Sequence, residues 1–392
     1  MIPLRSQVQV ECWLLSFLPT NPLGEQKYTT LMLRSALANL RPAVIFLSVI
    51  IILLLPLSIN GQITTSDKLS DSDLAAAGQG DVEAQLRVAK AYNDVRRNYG
   101  LAFKWFEAAS KQGSLEATAW LGSLYLHGHG VAQDAGRGTS LIQKAADGDN
   151  PVGQRFLGTM YQDGFGVLRD YSKALSFYSK AAAQQDAPSF DRIGSLYLRG
   201  LGVGRDRERA FEAFTRGANL GDSWAQLHVG QMEENHGESE TITSDDALSA
   251  NGSGLLRSTK PWSKNPPDYV AALKWYTESA AQGNRVAAYK AGEMFEAGRG
   301  TTQNPDKALD YYRQSADRRY PPAQTALGKA YEFGVSVHPN LVYAYVLYSL
   351  AADQNDSDGI ESLRRLRPKL TPSQADEANA VLRTVEERRA PQ

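Results

Sequence analysis

Cysteine is almost missing from this chain: Cys12 is the only one in 392 residues. No intrachain disulfide can form, so the fold must be held by packing alone. A charge bias is missing too. With 42 basic and 43 acidic side chains the formal net charge is −1, which gives no field for drawing in nucleic acid. Catalytic signatures are also lacking. There is no Gly-x-Ser-x-Gly elbow, phosphate-binding loop or zinc-protease helix, and no cofactor is implied. Long apolar runs are scarce. The one from Pro42 to Ile59 has 18 residues without a charge.

What the chain does have is a period. Gly122, Gly158, Gly194 and Gly230 stand 36 residues apart, as do Gly292 and Gly328. The interval from Gly230 to Gly292 is 62, a 36-residue step plus an insertion of 26. Ala89 and Tyr92 mark an earlier, shorter copy, which makes seven repeats between about Asp81 and Asn355. Such a period signals stacked supersecondary units. Ala117, Leu121, Leu124 and Tyr125 follow helical spacing, and the Gly128-x-Gly130 loop, repeated at Gly164, Gly200 and Gly298, ends that helix. A second helix starts at Asn98, Asp134, Asp170, Asp206, Asp268, Asn304 and Asn340, short acceptors suited to the N-cap. Its central residues are Phe106, Ile142, Tyr178, Phe214, Tyr276, Tyr312 and Tyr348. Glycine on the first helix opposite an aromatic on the second predicts close helix packing, so a branched residue at Gly158 should overpack. The fold class is all-α, an α/α solenoid stabilised by neighbour stacking.

The run from Gly153 to Ala182, with its Leu-Gly-x-x-Tyr, Gly-x-Gly-Val and Lys-Ala elements, resembles the Sel1-like repeat, a relative of the tetratricopeptide repeat. The resemblance spans about residues 82–355. It implies a right-handed superhelix of helical hairpins that serves mainly as a scaffold or adaptor for other proteins. It supplies no set of functional residues. A cysteine-rich branch of that family staples each hairpin with a disulfide, and this chain departs from it.

In chain order, residues 1–41 read as a poorly ordered extension, with Met32 as an alternative start. Arg34 and Arg41 precede the apolar run, so residues 42–61 read as a signal peptide or an uncleaved membrane anchor forming an N-terminal hydrophobic helix. Either way the repeats are expected outside the cytoplasm, in a periplasm or a secretory lumen, touching a membrane only through that segment. Residues 62–80 read as a linker and 81–355 as the repeats. The insertion, 235–267, is rich in Ser, Thr, Asp, Gly and Pro. It reads as a tolerated surface loop or as a docking arm with Trp262, Leu255 and Leu256 as anchors. Residues 356–392 form a C-terminal cap, with a capping-box pattern at Thr371-Pro372-Ser373-Gln374 and Ala378, Val381, Leu382 and Val385 covering the last repeat.

Candidate interaction residues follow from the first-helix positions expected on the concave side. One column runs Trp120, Phe156, Arg192, His228, Lys290, Ala326, and another Ser123, Thr159, Ser195, Gln231, Glu293, Lys329. Trp120 and Phe156 suit peptide anchors, and equally suit packing between repeats. His127 and His129 could share a metal, but Phe165, Leu201 and Arg299 take the equivalent loop position, which favours a solvated loop. The expected function is non-enzymatic: a scaffold for other proteins or peptide segments. Two alternatives remain open, a binder of cell-wall polysaccharide and an envelope hydrolase with a site assembled across repeats.

Overall fold

A computed structural model describes residues 70–94, 98–235 and 266–387. The extension, the apolar run, Trp262 and nearly all of the insertion lie outside the described residues. Seventeen α-helices are present among those described, and no strand. Seven hairpins pair a first helix with a second: α2 (Val82–Asp94) with α3 (Tyr99–Lys111), α4 (Leu115–His127) with α5 (Ala135–Asp147), and α6 (Pro151–Asp163) with α7 (Tyr171–Ala183). They continue as α8 (Ala187–Arg199) with α9 (Arg207–Asn219) and α10 (Ser223–Glu234) with α11 (Tyr269–Ala281). The last two are α12 (Arg285–Ala297) with α13 (Pro305–Asp317) and α14 (Pro321–Phe333) with α15 (Leu341–Ala352). Leu69–Thr384 make one compact unit.

Local chemistry explains each start. Asn98, Asp134, Asp170, Asp206, Asp268, Asn304 and Asn340 all accept the backbone N–H three residues on, at 2.9–3.1 Å. That satisfies one orphan donor of each second helix. The same residues donate their own N–H back to the first helix, from Asn98 to Tyr92 O through Asn340 to Tyr331 O, at 2.8–3.0 Å. The fifth repeat keeps this bond across its insertion, Asp268 N–H to Glu233 O at 3.0 Å. The fifth hairpin therefore closes in the same register as the others. First helices are capped as well, by Ser114, Asn150, Asp186, Asp222 and Asn284, a signal the sequence reading passed over.

Packing follows the glycine frame. A Cβ built on Gly158 would lie 2.8 Å from the Tyr178 ring, and one on Gly328 2.6 Å from Tyr348. These contacts leave no room for a side chain, as the pattern requires. The seven central second-helix residues are buried, with Tyr178, Tyr276, Tyr348, Phe106 and Phe214 fully so. Successive first helices touch, as α4–α6, α8–α10 and α14–α16 do, while no comparable contact joins successive second helices among the described residues. The first helices thus run on the inner track of a right-handed α/α solenoid.

The N-terminal end differs from the sequence reading, whereas the C-terminal end carries the short helix and capped final helix that were expected. Helix α1 (Asp71–Gly78) forms inside the segment read as linker, capped by Ser70, and buries Ala77 against Ala84 and Val88. Its Ala-Ala-x-x-Gly-Asp ending matches a second helix that has lost its first half. At the other end α16 (Ser357–Leu366) is capped by Asp356 and packs on α14 and α15 like an eighth first helix. Leu366 is fully buried, yet Ile360 is half-exposed. Helix α17 (Pro372–Glu387) opens with the expected capping box: Thr371 N–H to Gln374 Oε1 at 3.0 Å and Gln374 N–H to Thr371 Oγ1 at 3.3 Å. Ala378 is buried; Val381, Leu382 and Val385 are half-buried.

Candidate functional site: a groove on the inner helix row

A recess of the inner face lies over the last repeats. Its volume is about 380 Å³. Tyr289, Glu293 and Glu296 of α12 form one wall; Ala326, Lys329 and Phe333 of α14 form the other. Leu309 and Tyr312 of α13 make the floor, and Asp356 and Asp358 close the end at α16. Phe333 and Val335 at the rim are 59% and 48% exposed, large apolar side chains that a lone surface loop does not need.

Hydrogen bonds fix the wall. Tyr312 donates to Glu296 Oε2 at 2.6 Å. Burial, then that bond and the Glu296 charge, push the Tyr312 phenol well above its ordinary value, so it stays a donor. Tyr289 is likewise raised by burial and then by Glu293. Lys290 reaches Glu293 at 2.9 Å and Lys329 reaches Asp358 at 3.6 Å. Asp356 is committed to backbone and hydroxyl donors, Gly359 N–H at 2.8 Å and Thr325 Oγ1 at 2.7 Å.

A rule links the floor to the wall. Where the second-helix core residue is Tyr, the residue four after the first-helix glycine is an acceptor. Tyr178 donates to Gln162 at 3.0 Å, Tyr276 to Glu234 at 2.8 Å and Tyr348 to Glu332 at 2.9 Å. Where the core residue is Ile142 or Phe214, that residue is Leu126 or Leu198. A buried hydroxyl needs an acceptor and a ring or alkyl core does not.

The sequence-predicted residues fall in different settings. Trp120 and Phe156 are half-buried in a ladder, Trp120 stacked on Phe106 at 5.7 Å and edge-on to Phe156 at 4.9 Å. They pack between adjacent repeats. Arg192 is exposed. His228 binds buried Asp191 through Nδ1 at 2.6 Å, with the Phe214 ring 4.7 Å away, which ties α10 to α8. Glu293, Ala326 and Lys329 line the groove, and Lys290 is tied to it through Glu293. His127 ends α4 and His129 lies on the loop that follows, both exposed, rings 5.5 Å apart, in a stack that runs from Tyr99 to Phe165. Among the described residues no three His, Cys, Asp or Glu are arranged to hold a metal, and no helix is long and apolar enough to cross a membrane. Tyr289, Glu296 and Phe333 were missed, though Glu296 carried a signal: it repeats Glu234 and Glu332.

A second recess, about 410 Å³, lies on the opposite face between α7 and α9. Its charges are matched internally, Arg216 to Glu212 at 2.9 Å and Arg209 to Asp206 at 3.4 Å.

The Sel1 repeat profile matches residues 82–114, 115–150, 151–186, 192–222, 266–284, 285–320 and 321–356. A Sel1 repeat protein from Oxalobacter formigenes is 25% identical, aligns over 71% of this chain and 99% of its own, and superposes with a TM-score of 0.53. The c5321 protective antigen of uropathogenic Escherichia coli is 24% identical over 81% of this chain and 71% of its own, with a TM-score of 0.41. Immunity protein Pa5087 of Pseudomonas aeruginosa is 21% identical over 64% and 83%, with a TM-score of 0.40. No functionally curated protein matches the chain. With seven matched repeats covering more than half of its length, the chain belongs to the Sel1 repeat family.

Proposed function

We propose that this protein is a non-enzymatic scaffold that holds a segment of another protein against the inner row of first helices. Sel1 repeat proteins usually mediate protein–protein interactions. The observation that carries the reading is the groove over α12, α13 and α14, where rim-exposed Phe333 and Val335 adjoin carboxylates held in place by buried phenols. A preformed wall of this kind lowers the ordering cost of binding. The polysaccharide alternative relied on exposed aromatic rings, and Trp120 is half-buried in the inter-repeat ladder.

A photo-crosslinking residue at Ala326 in the full chain, expressed in cells, tests this. Protein adducts should form there and not from the same residue at Arg216 on the opposite face. Equal capture at both positions, or none at Ala326, overturns the proposal. We further place the repeats outside the cytoplasm, a reading supported by Arg34, Arg41 and the uncharged run that follows. Protease added to intact cells should have no access to the repeats until the outer barrier is opened, and cytosolic fractionation of the chain would count against export.

A further inference from the structure

Three repeats share the Tyr–Glu arrangement, and in two of them a cation completes it. Arg299, in the loop of the sixth repeat, reaches Glu234 of the fifth at 2.9 Å. Arg365 and Lys369, beyond the seventh repeat, reach Glu332 at 2.6 and 3.2 Å. Between them stands Glu296. The loop residue that corresponds to Arg299 is Val335, in the same register: Arg299 N–H bonds Met294 O at 2.9 Å and Val335 N–H bonds Ala330 O at 3.0 Å. No cation among the described residues lies within 4 Å of Glu296, which is exposed on the groove wall with only the Tyr312 hydroxyl bonded to it. The nearby cations are committed elsewhere, Lys290 to Glu293 and Lys329 to Asp358. Arg365 lies over the Phe333 ring at 5.4 Å but belongs to Glu332.

We infer that the groove takes a basic segment of a partner protein, whose Lys or Arg side chain fills the place beside Glu296 that Arg299 fills beside Glu234. Phe333 and Val335 take an apolar neighbour of that cation. The inference rests on the reading of the groove as a segment-binding site and adds the chemistry of the segment. Charge complementarity supports it: the lining carries Glu293, Glu296, Asp356 and Asp358 against Lys329. A cation held by one carboxylate in a partly covered groove sets specificity and salt dependence more than raw affinity.

The test uses the full chain and three fluorescein-labelled nonapeptide pools, each with one Leu or Phe and otherwise random apart from two fixed positions. Those positions hold Arg or Lys, Asp or Glu, or Gln. Anisotropy should rank the basic pool about tenfold tighter than the Gln pool and the acidic pool weakest, with the basic advantage fading as salt rises. Glu296→Gln should remove the basic preference. Val335→Arg should remove it too, by supplying the cation from within, while leaving the thermal midpoint unchanged or raised; this separates loss of binding from loss of fold. Glu212→Gln on the opposite face should change nothing. Equal binding of all pools, or a basic preference that survives both groove variants, overturns the inference and leaves segment binding standing. If no pool binds, both fall.

Discussion

The second and fourth repeats and the fifth to seventh solve one packing problem in two ways. In the second and fourth, the first-helix glycine faces Ile142 or Phe214 and the residue four further on is Leu126 or Leu198, so the layer is dry. In the fifth to seventh, a buried Tyr takes the same place and its hydroxyl is met by Glu234, Glu296 or Glu332. The third repeat is intermediate, with Gln162 bonded to Tyr178, whose phenol burial pushes up to about 12. The first repeat follows neither scheme, pairing Phe106 with Asn93, whose amide turns to Asp94 at 2.6 Å. The apolar solution stabilises the layer and has no consequence outside it. The polar solution satisfies the core, and in the sixth repeat alone it also leaves a carboxylate, Glu296, exposed on the groove wall; Glu234 and Glu332 stay buried against cations.

The sharpest break in the comparison is at Gly138. The second repeat replaces the aromatic with Ile142 and closes the gap with a glycine on each helix. A Cβ on Gly138 would meet Gly122 O at 2.8 Å and Leu126 N at 2.9 Å, both backbone atoms that cannot turn aside. Gly138→Val should therefore cost about 3 kcal/mol, the upper part of the usual range for overpacking. Urea unfolding of the variant measures it, and a loss under about 1 kcal/mol would mean that α4 and α5 can separate freely.

Next in size is Glu332→Ala. The carboxylate is buried yet accepts from Tyr348, Arg365 and Lys369. Burial works against its charge, but the Tyr348 hydroxyl and the two cations outweigh it and hold the carboxyl below its ordinary value. Truncation leaves a buried phenol and two cations without their acceptor, at about 2–3 kcal/mol. A lowered carboxyl stabilises above its ordinary value of 4.5 and loses that contribution as the pH falls through the lowered value. The gap between wild type and Glu332→Ala should be widest at neutral pH and close in acid. A gap independent of pH would mean that the loss is one of packing alone.

The two schemes can also be interchanged. Glu234→Leu alone strands the buried Tyr276 hydroxyl and should cost about 2 kcal/mol. Glu234→Leu with Tyr276→Phe copies the fourth repeat and should recover most of it, a coupling of about 1–2 kcal/mol in a double-mutant cycle. Additive losses would show that the Tyr–Glu pair is incidental to the layer.

These differences explain what the sequence could reveal. The glycine frame and the second-helix caps are local and recur seven times, so period and residue type suffice. The Trp120–Phe156 ladder could not be told from a pair of exposed anchors, because both sit at one register position whatever covers them. Helix α1 was hidden by having no glycine partner of its own and only a half-length match. The groove was least visible. Its feature is the cation absent beside Glu296, and that depends on Val335, 39 residues further on. Only stacking brings α12 and the next loop together.

The smallest effect separates repeats by backbone rather than by side chain. Seven residues past each second-helix core position the chain turns at positive φ. Gly113, Gly221 and Gly283 do so at +91 to +92°, while Asp149, Gln185, Arg319 and Asn355 do so at +59 to +63°. Residues with a Cβ are held in the narrow left-handed well, and glycine relaxes past it. A Cβ on Gly221 would meet nothing within 4 Å, so Gly221→Ala isolates the conformational term, about 1 kcal/mol. Arg319→Gly runs the other way but should gain no more than about 0.5 kcal/mol, because the freer unfolded chain offsets most of the relief. Thermal midpoints of the two variants should thus move in opposite directions. Shifts of the same sign would mean that left-handed strain does not govern this turn.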